Sequence, residues 1–144
     1  MDDPFDLRRF VTAQDEVYAD VVAELKEGRK RTHWMWYVFP QVAGLGNSPT
    51  AKHYAIQSHE EAQAYFAHPI LGVRLIECTR TVMTIDKSAH QVFGSPDDLK
   101  FRSCLTLFDQ VTGAPLFKAA LVRFFSVDDQ ATREILAAWQ RSRP

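Results

Sequence analysis

Apolar residues return every three or four positions through most of this chain, and they almost nowhere alternate. In EVYADVVAELKEG, Tyr18, Val21, Val22 and Leu25 take the i, i+3, i+4, i+7 stripe of a helix with one buried face. Gly28 follows as its natural C-terminal stop. Upstream, DLRRFVTAQ puts Leu7, Phe10 and Val11 on one side and predicts a short first helix ending near Gln14, with Asp15 and Glu16 suited to the positive end of the next.

The punctuation supports the same reading. SHEE before EEAQAYFAH has the form of a capping box, Ser58 capping the backbone while Glu61 reaches back. Pro69 suits the first turn of a helix through ILGVRLIECTRTVMTI, with Leu75, Ile76, Thr79, Val82 and Met83 toward its buried side. GSPDD offers a Ser95 cap, Pro96 at the first helical position and Asp98 in the box position, opening a helix to about Thr112. Its apolar stripe is Phe101, Cys104, Leu105, Phe108 and Val111, with Asp97, Lys100, Arg102, Ser103 and Asp109 over the remaining surface; Gly113 and Pro115 end it. In LFKAALVRFF, Phe117, Ala120, Leu121 and Phe124 align on one face, and in DDQATREILAAWQ, Thr132, Ile135, Leu136 and Trp139 do. HYAIQS, residues 53–58, is the one candidate extended piece. The expectation is an all-α fold, one domain over residues 1–144 with six to eight helices.

Composition narrows the class. A chain that is 46% hydrophobic and 24% charged is globular in character, and no apolar run approaches the roughly 20 residues of a bilayer span. No membrane partner is expected. The acidic start MDDPFD lacks the basic and apolar regions of a secretory signal, so the expected location is cytoplasmic. A net charge of -1 and a pI near 6.5 give no general attraction to nucleic acid, which is not expected as a partner. Cys78 and Cys104 stand far apart within helical stripes and read as small buried hydrophobes. Nothing in the sequence sets an oligomeric state.

Reactive chemistry has few candidates. Five histidines, His33, His53, His59, His68 and His90, make no H-E-x-x-H pattern and read as capping or hydrogen-bonding groups at helix ends, so no metal and no cofactor is expected. There is no G-x-S-x-G elbow. GLGNSP lacks the lysine of a phosphate-binding loop; Gly44 and Gly46 supply freedom for a turn, and Asn47 or Ser48 caps a helical turn from Pro49. The informative pattern is a pair of segments. THWMWYVFPQ crowds Trp34, Trp36, Tyr37 and Phe39 beside GRKR, and SPDDLKFRS presents Asp97, Lys100, Arg102 and Ser103 at a helix start. Aromatic faces beside cations can hold a nucleobase, a sugar or a planar anion.

These segments, with DLRRFVTAQDEVYADVVAELKEGRKRTHWMWYVFPQVAGLGNSPTAKHYAI and AYFAHPILGVRLIECT, resemble the bacterial proteins grouped as domain of unknown function 1810, sometimes labelled calpastatin. The resemblance covers nearly the whole chain and implies a mainly helical fold, with no reaction attached to the family. It centres on HWMWYVFPQ with Gly44 and Gly46, on Tyr54, and on Gly94, Asp97, Lys100, Arg102, Ser103, Thr106 and Phe108, all present here. TAKHYAI and DDLKFRSCLTLF are also similar to segments of helical proteins acting on ADP-ribose-linked nucleosides; those carry an acid before the histidine-tyrosine pair, where this chain has Lys52.

The leading expectation is therefore a small anionic or nucleotide-like ligand in a cleft between the two segments, held by Trp34, Trp36, Gln41, Lys100, Arg102 and Ser103. His33 and Asp97 are the proton-transfer candidates if a reaction occurs. The alternatives are a protein-interaction module without catalysis, local RNA binding through GRKR and the tryptophans, and an enzyme acting on ADP-ribose-linked nucleosides.

Overall fold

The computed structural model describes residues 2–142; Met1, Arg143 and Pro144 of the expected 1–144 span lie outside the described residues. Within them the chain runs through α1 (Arg8–Glu27), α2 (Met35–Val38), α3 (Pro49–Tyr54), α4 (His59–Ala67), α5 (Leu71–Met83), α6 (Ala89–Phe93), α7 (Asp97–Thr112), α8 (Pro115–Phe124) and α9 (Gln130–Ser142). The all-α class is as expected. The described helices number nine against six to eight because α2, α3 and α6 are short pieces of four to six residues between longer ones. Of the anticipated extended piece, only Ile56 pairs, in an isolated parallel bridge with Val42, while His53 and Tyr54 close α3.

The break expected near Gln14 does not occur. Gln14 is polar but buried, and its Nε2 donates to the Tyr37 carbonyl at 2.7 Å and to the Tyr65 hydroxyl at 3.1 Å. A polar residue thus belongs to the core face, and the two predicted helices are one. The acid at the start of α1 is Asp3, whose carboxylate accepts from the Arg8 and Leu7 amides; those two bonds hold its pKa below the usual value. Gly28 ends α1 in the left-handed conformation, φ 76°, as its position predicted.

The other caps match in part. Ser48 accepts from the Ala51 amide and Ser58 from the Glu61 amide. Glu61 reaches back to the amide of Gln57, one residue earlier than a capping box would have it. Helix α5 starts at Leu71 instead of Pro69, because His68 Nδ1 accepts from the Ile70 and Leu71 amides. Ser95 does not cap α7: the Asp98 amide instead finds the Gly94 carbonyl at 2.8 Å.

Helix α7 is the centre of the fold, packing on α4, α6, α8 and α9. Residues 103 to 108 are all buried, so the predicted single stripe is too narrow and Ser103 is not on the surface. Around its start, Phe101 meets Phe39 and Phe93 with ring centroids 5.0 and 4.7 Å apart. Cys78 and Cys104 are buried and free, and burial pushes the Cys78 thiol up to about 12 and that of Cys104 well above its ordinary value, which leaves both inert. No helix among the described residues is long and apolar enough to cross a membrane.

Candidate functional site

One carboxylate builds the turn that follows α1. Glu24, 6% exposed, accepts from the Arg31 amide at 2.7 Å, the Thr32 amide at 3.0 Å, the Thr32 hydroxyl at 2.7 Å and the Trp34 indole at 3.1 Å. Burial alone would raise its pKa, but the four bonds outweigh burial and leave it lowered. Trp34 is thereby a core residue, fully buried with its one polar atom satisfied.

The two segments singled out in the sequence do meet, and an ion cluster closes the seam. Asp97 receives Lys30 Nζ at 2.9 Å and Lys100 Nζ at 3.3 Å. Lys30 lies 5.1 Å from the Trp34 ring centroid and Lys100 lies 5.2 Å from that of Trp36. Asp97 is thus occupied between two ammonium groups. Trp36 is half-buried and shares a cavity of only about 10 Å³ with Gln41, Gly46 and Tyr54. Gly46 is required here for close approach, since a Cβ would sit 2.6 Å from Ala51 Cβ; Gly44 is the one with left-handed φ, 104°.

Arg102 and Ser103 point elsewhere. Ser103 Oγ donates to Asp129 at 2.8 Å and Arg102 lies 3.7 Å from the same carboxylate, which also accepts from the Thr132 amide and hydroxyl at the start of α9. They clamp α7 to α9 and do not share a cleft with Trp36. His33 is exposed on the other side of Trp34 in the chain, and its carbonyl accepts from the Tyr37 hydroxyl at 3.4 Å.

Open space lies instead beside the N-terminal end of α1. Arg9 spends all five guanidinium N–H groups: on the carbonyls of His53, Phe5, Asp6 and Ala55 and, at 2.7 Å, on Glu61. It is a strut joining α1 to α3 and α4. A groove of about 430 Å³ opens on one side, lined by Pro4, Phe5, Gln57 and Ser58, and one of about 460 Å³ on the other; Asp6, Arg9 and His53 border both. The second groove has an aromatic wall in which Tyr37 meets Tyr54 at 5.1 Å and Tyr54 meets His53 at 4.6 Å between centroids. Opposite, Arg8, Thr12 and Glu16 stand four residues apart on one face of α1. Tyr54 lines both this groove and the small cavity of Trp36 and Gln41. Arg8, Tyr37 and His53 were not site candidates in the sequence. The only signals were the place of Tyr37 in the aromatic run and the histidine-tyrosine likeness.

Fold and site together define a mainly helical protein whose charged residues largely brace its own loops. The chain belongs to the family described as Protein of unknown function (DUF1810), whose model matches residues 4–136. Among solved structures it is similar to the conserved hypothetical protein Rv1873 from Mycobacterium tuberculosis, with 53% identity and a TM-score of 0.92 over 94% of this chain and 99% of that one. No functionally curated protein matches the chain.

Proposed function

We propose that this protein binds a small anionic, nucleotide-like ligand in the groove between the Tyr37–Tyr54–His53 wall and the Arg8–Glu16 face of α1. The observation that carries the reading is the run of three rings in successive contact lining a concavity of about 460 Å³. The rings are inclined to one another by 52° and 81°, so a planar base would stack on one of them with the others at its edge, without requiring a base-specific contact. Arg8 and Glu16, eight residues apart on α1, are separated by roughly 12 Å of helix rise. That spacing suits a phosphate at one end and a hydrogen-bonding sugar or exocyclic amine at the other. Trp36 and Gln41 border a small cavity that Tyr54 also lines, and Lys100 lies over the Trp36 ring. No reaction is assigned: Asp97 is held by two lysines, and Glu61 by Arg9.

Thermal unfolding with nucleoside monophosphates and ribose 5-phosphate tests this reading. A ligand at 100 times its Kd raises stability by about 2.7 kcal/mol, roughly 5–10 °C in Tm for a chain of this size. Exposed Arg8→Ala and His53→Ala should each cut that rise by at least half and leave the ligand-free Tm unchanged. A flat response across the panel, as a protein-docking module would give, sinks the reading, and so does a rise that both variants retain.

A further inference from the structure

The groove lined by Pro4, Phe5, Gln57 and Ser58 adjoins the proposed ligand groove across a saddle of Asp6, Arg9 and His53, which border both. Arg9 is the floor of that saddle. Its N–H groups reach carbonyls on each wall, Phe5 and Asp6 on one and His53 and Ala55 on the other, and its guanidinium carbon lies 4.3 Å from the Phe10 ring centroid. What stays uncovered of this side chain, 11% exposed, borders the two grooves. The floor is therefore held rigid from both sides, and the grooves form one elongated depression across it.

The two halves differ in chemistry. Arg8 stands in the first turn of α1, next to the saddle, and Glu16 about two turns further along, so a phosphate held by Arg8 lies at the end of its groove that adjoins the saddle. Beyond the saddle, among the described residues, no lysine and no arginine other than Arg9 lines the groove. Arg9 is matched there by Glu61, and Asp6 adds an exposed carboxylate, so a further phosphate would be repelled. The second groove offers instead the Phe5 ring, the exposed Gln57 carboxamide, the Asp6 carboxylate and the Ser58 hydroxyl, whose oxygen accepts from the Glu61 amide and whose O–H is left to donate. An aromatic face beside mixed donors and acceptors suits an uncharged, hydroxyl-rich ring, its C–H face on Phe5 and its hydroxyls on the polar groups. Building on the nucleotide reading of the neighbouring groove, we infer that the ligand is a nucleotide whose phosphate is linked to a sugar, with the sugar in the groove of Phe5 and Gln57.

Calorimetric titration of the full chain tests this with matched pairs at constant ionic strength: ADP against ADP-glucose, UDP against UDP-glucose and GDP against GDP-mannose. At least one sugar nucleotide should bind about tenfold more tightly than its parent diphosphate, the scale of one or two net hydrogen bonds, although it carries less negative charge. Gln57→Ala, on an exposed side chain, should reduce that advantage to about threefold and leave the Kd of the diphosphate unchanged. Asp6→Asn should also reduce it, and asparagine suits the left-handed backbone there, φ 51°. Arg8→Ala should weaken both members of a pair. Equal affinity within every pair overturns the inference and leaves the nucleotide reading standing, whereas no binding by any of the six compounds sinks both. An advantage that Gln57→Ala and Asp6→Asn both retain in full also overturns it, because the sugar would then lie elsewhere.

Discussion

The two ends of α1 use the same device with opposite results. At the C-terminal end Glu24 gathers four donors from the following turn, and at the N-terminal end Arg9 gathers five acceptors from the chain before α1, from α3 and from α4. Both groups are saturated, and neither has capacity left for a ligand. Around Glu24 the turn is drawn onto the core, with Trp34 fully buried and Lys30 sealed against Asp97. Around Arg9 grooves remain on both sides. A buried charge thus indicates where loops are tied down, and the vacancy beside it indicates where a partner can enter.

The strongest way to break this comparison is to remove the struts. Glu24→Ala leaves buried donors unpaired, and Arg9→Met leaves the Glu61 carboxylate, 3% exposed, without its cation. Each should cost about 3–5 kcal/mol in chemical denaturation, the scale for breaking a buried charged network on one side. A loss below about 1 kcal/mol for either would mean that the turn or groove is held by packing alone.

Acid titration sharpens the Glu24 half. Its folded pKa is lowered from 4.5, so its stabilisation is present above that value and is lost as pH falls through the lower folded pKa. The stability advantage of the wild type over Glu24→Gln should therefore be constant from pH 7 to about 5 and shrink below pH 4.5. An advantage that grew on acidification would have the opposite sign and would contradict the bond set.

These residues also mark how far sequence could be read. The caps Ser48 and Ser58, the Gly28 and Gly113 stops and the length of α7 were legible because each depends on neighbours within a few positions. Gln14, Glu24 and Arg9 were not. Arg9 bonds groups 44 to 52 residues away, and Gln14 and Glu24 look like ordinary surface positions until the tertiary contacts form. THWMWYVFPQ and SPDDLKFRS approach each other in the fold, and the structure fills that approach with Lys30, Asp97 and Lys100. Residues two apart in the chain, Trp34 and Trp36, look identical in composition, yet one is sealed and one lies beside a cavity. Trp34→Phe should cost about 2 kcal/mol through lost volume and one lost indole bond, and Trp36→Phe under about 1 kcal/mol. Equal losses in thermal denaturation would erase the distinction.

The smallest expected stability effect carries the most functional information. His53 uses its backbone carbonyl to hold Arg9, while its ring lies exposed on the edge of Tyr54. His53→Ala keeps the carbonyl and therefore the strut, so its stability should stay within about 0.5 kcal/mol of the wild type. The same change strips one of three rings from the groove wall and should reduce the thermal response to nucleoside monophosphates by at least half. Arg9→Met reverses the pattern, unfolding easily whether or not ligand is present. Two neighbouring side chains would then separate support from recognition, one acting on Tm without ligand and the other only on the increment that ligand adds. If His53→Ala instead lowered the ligand-free Tm as Arg9→Met does, the ring would be part of the brace and the groove would lose its claim to be open.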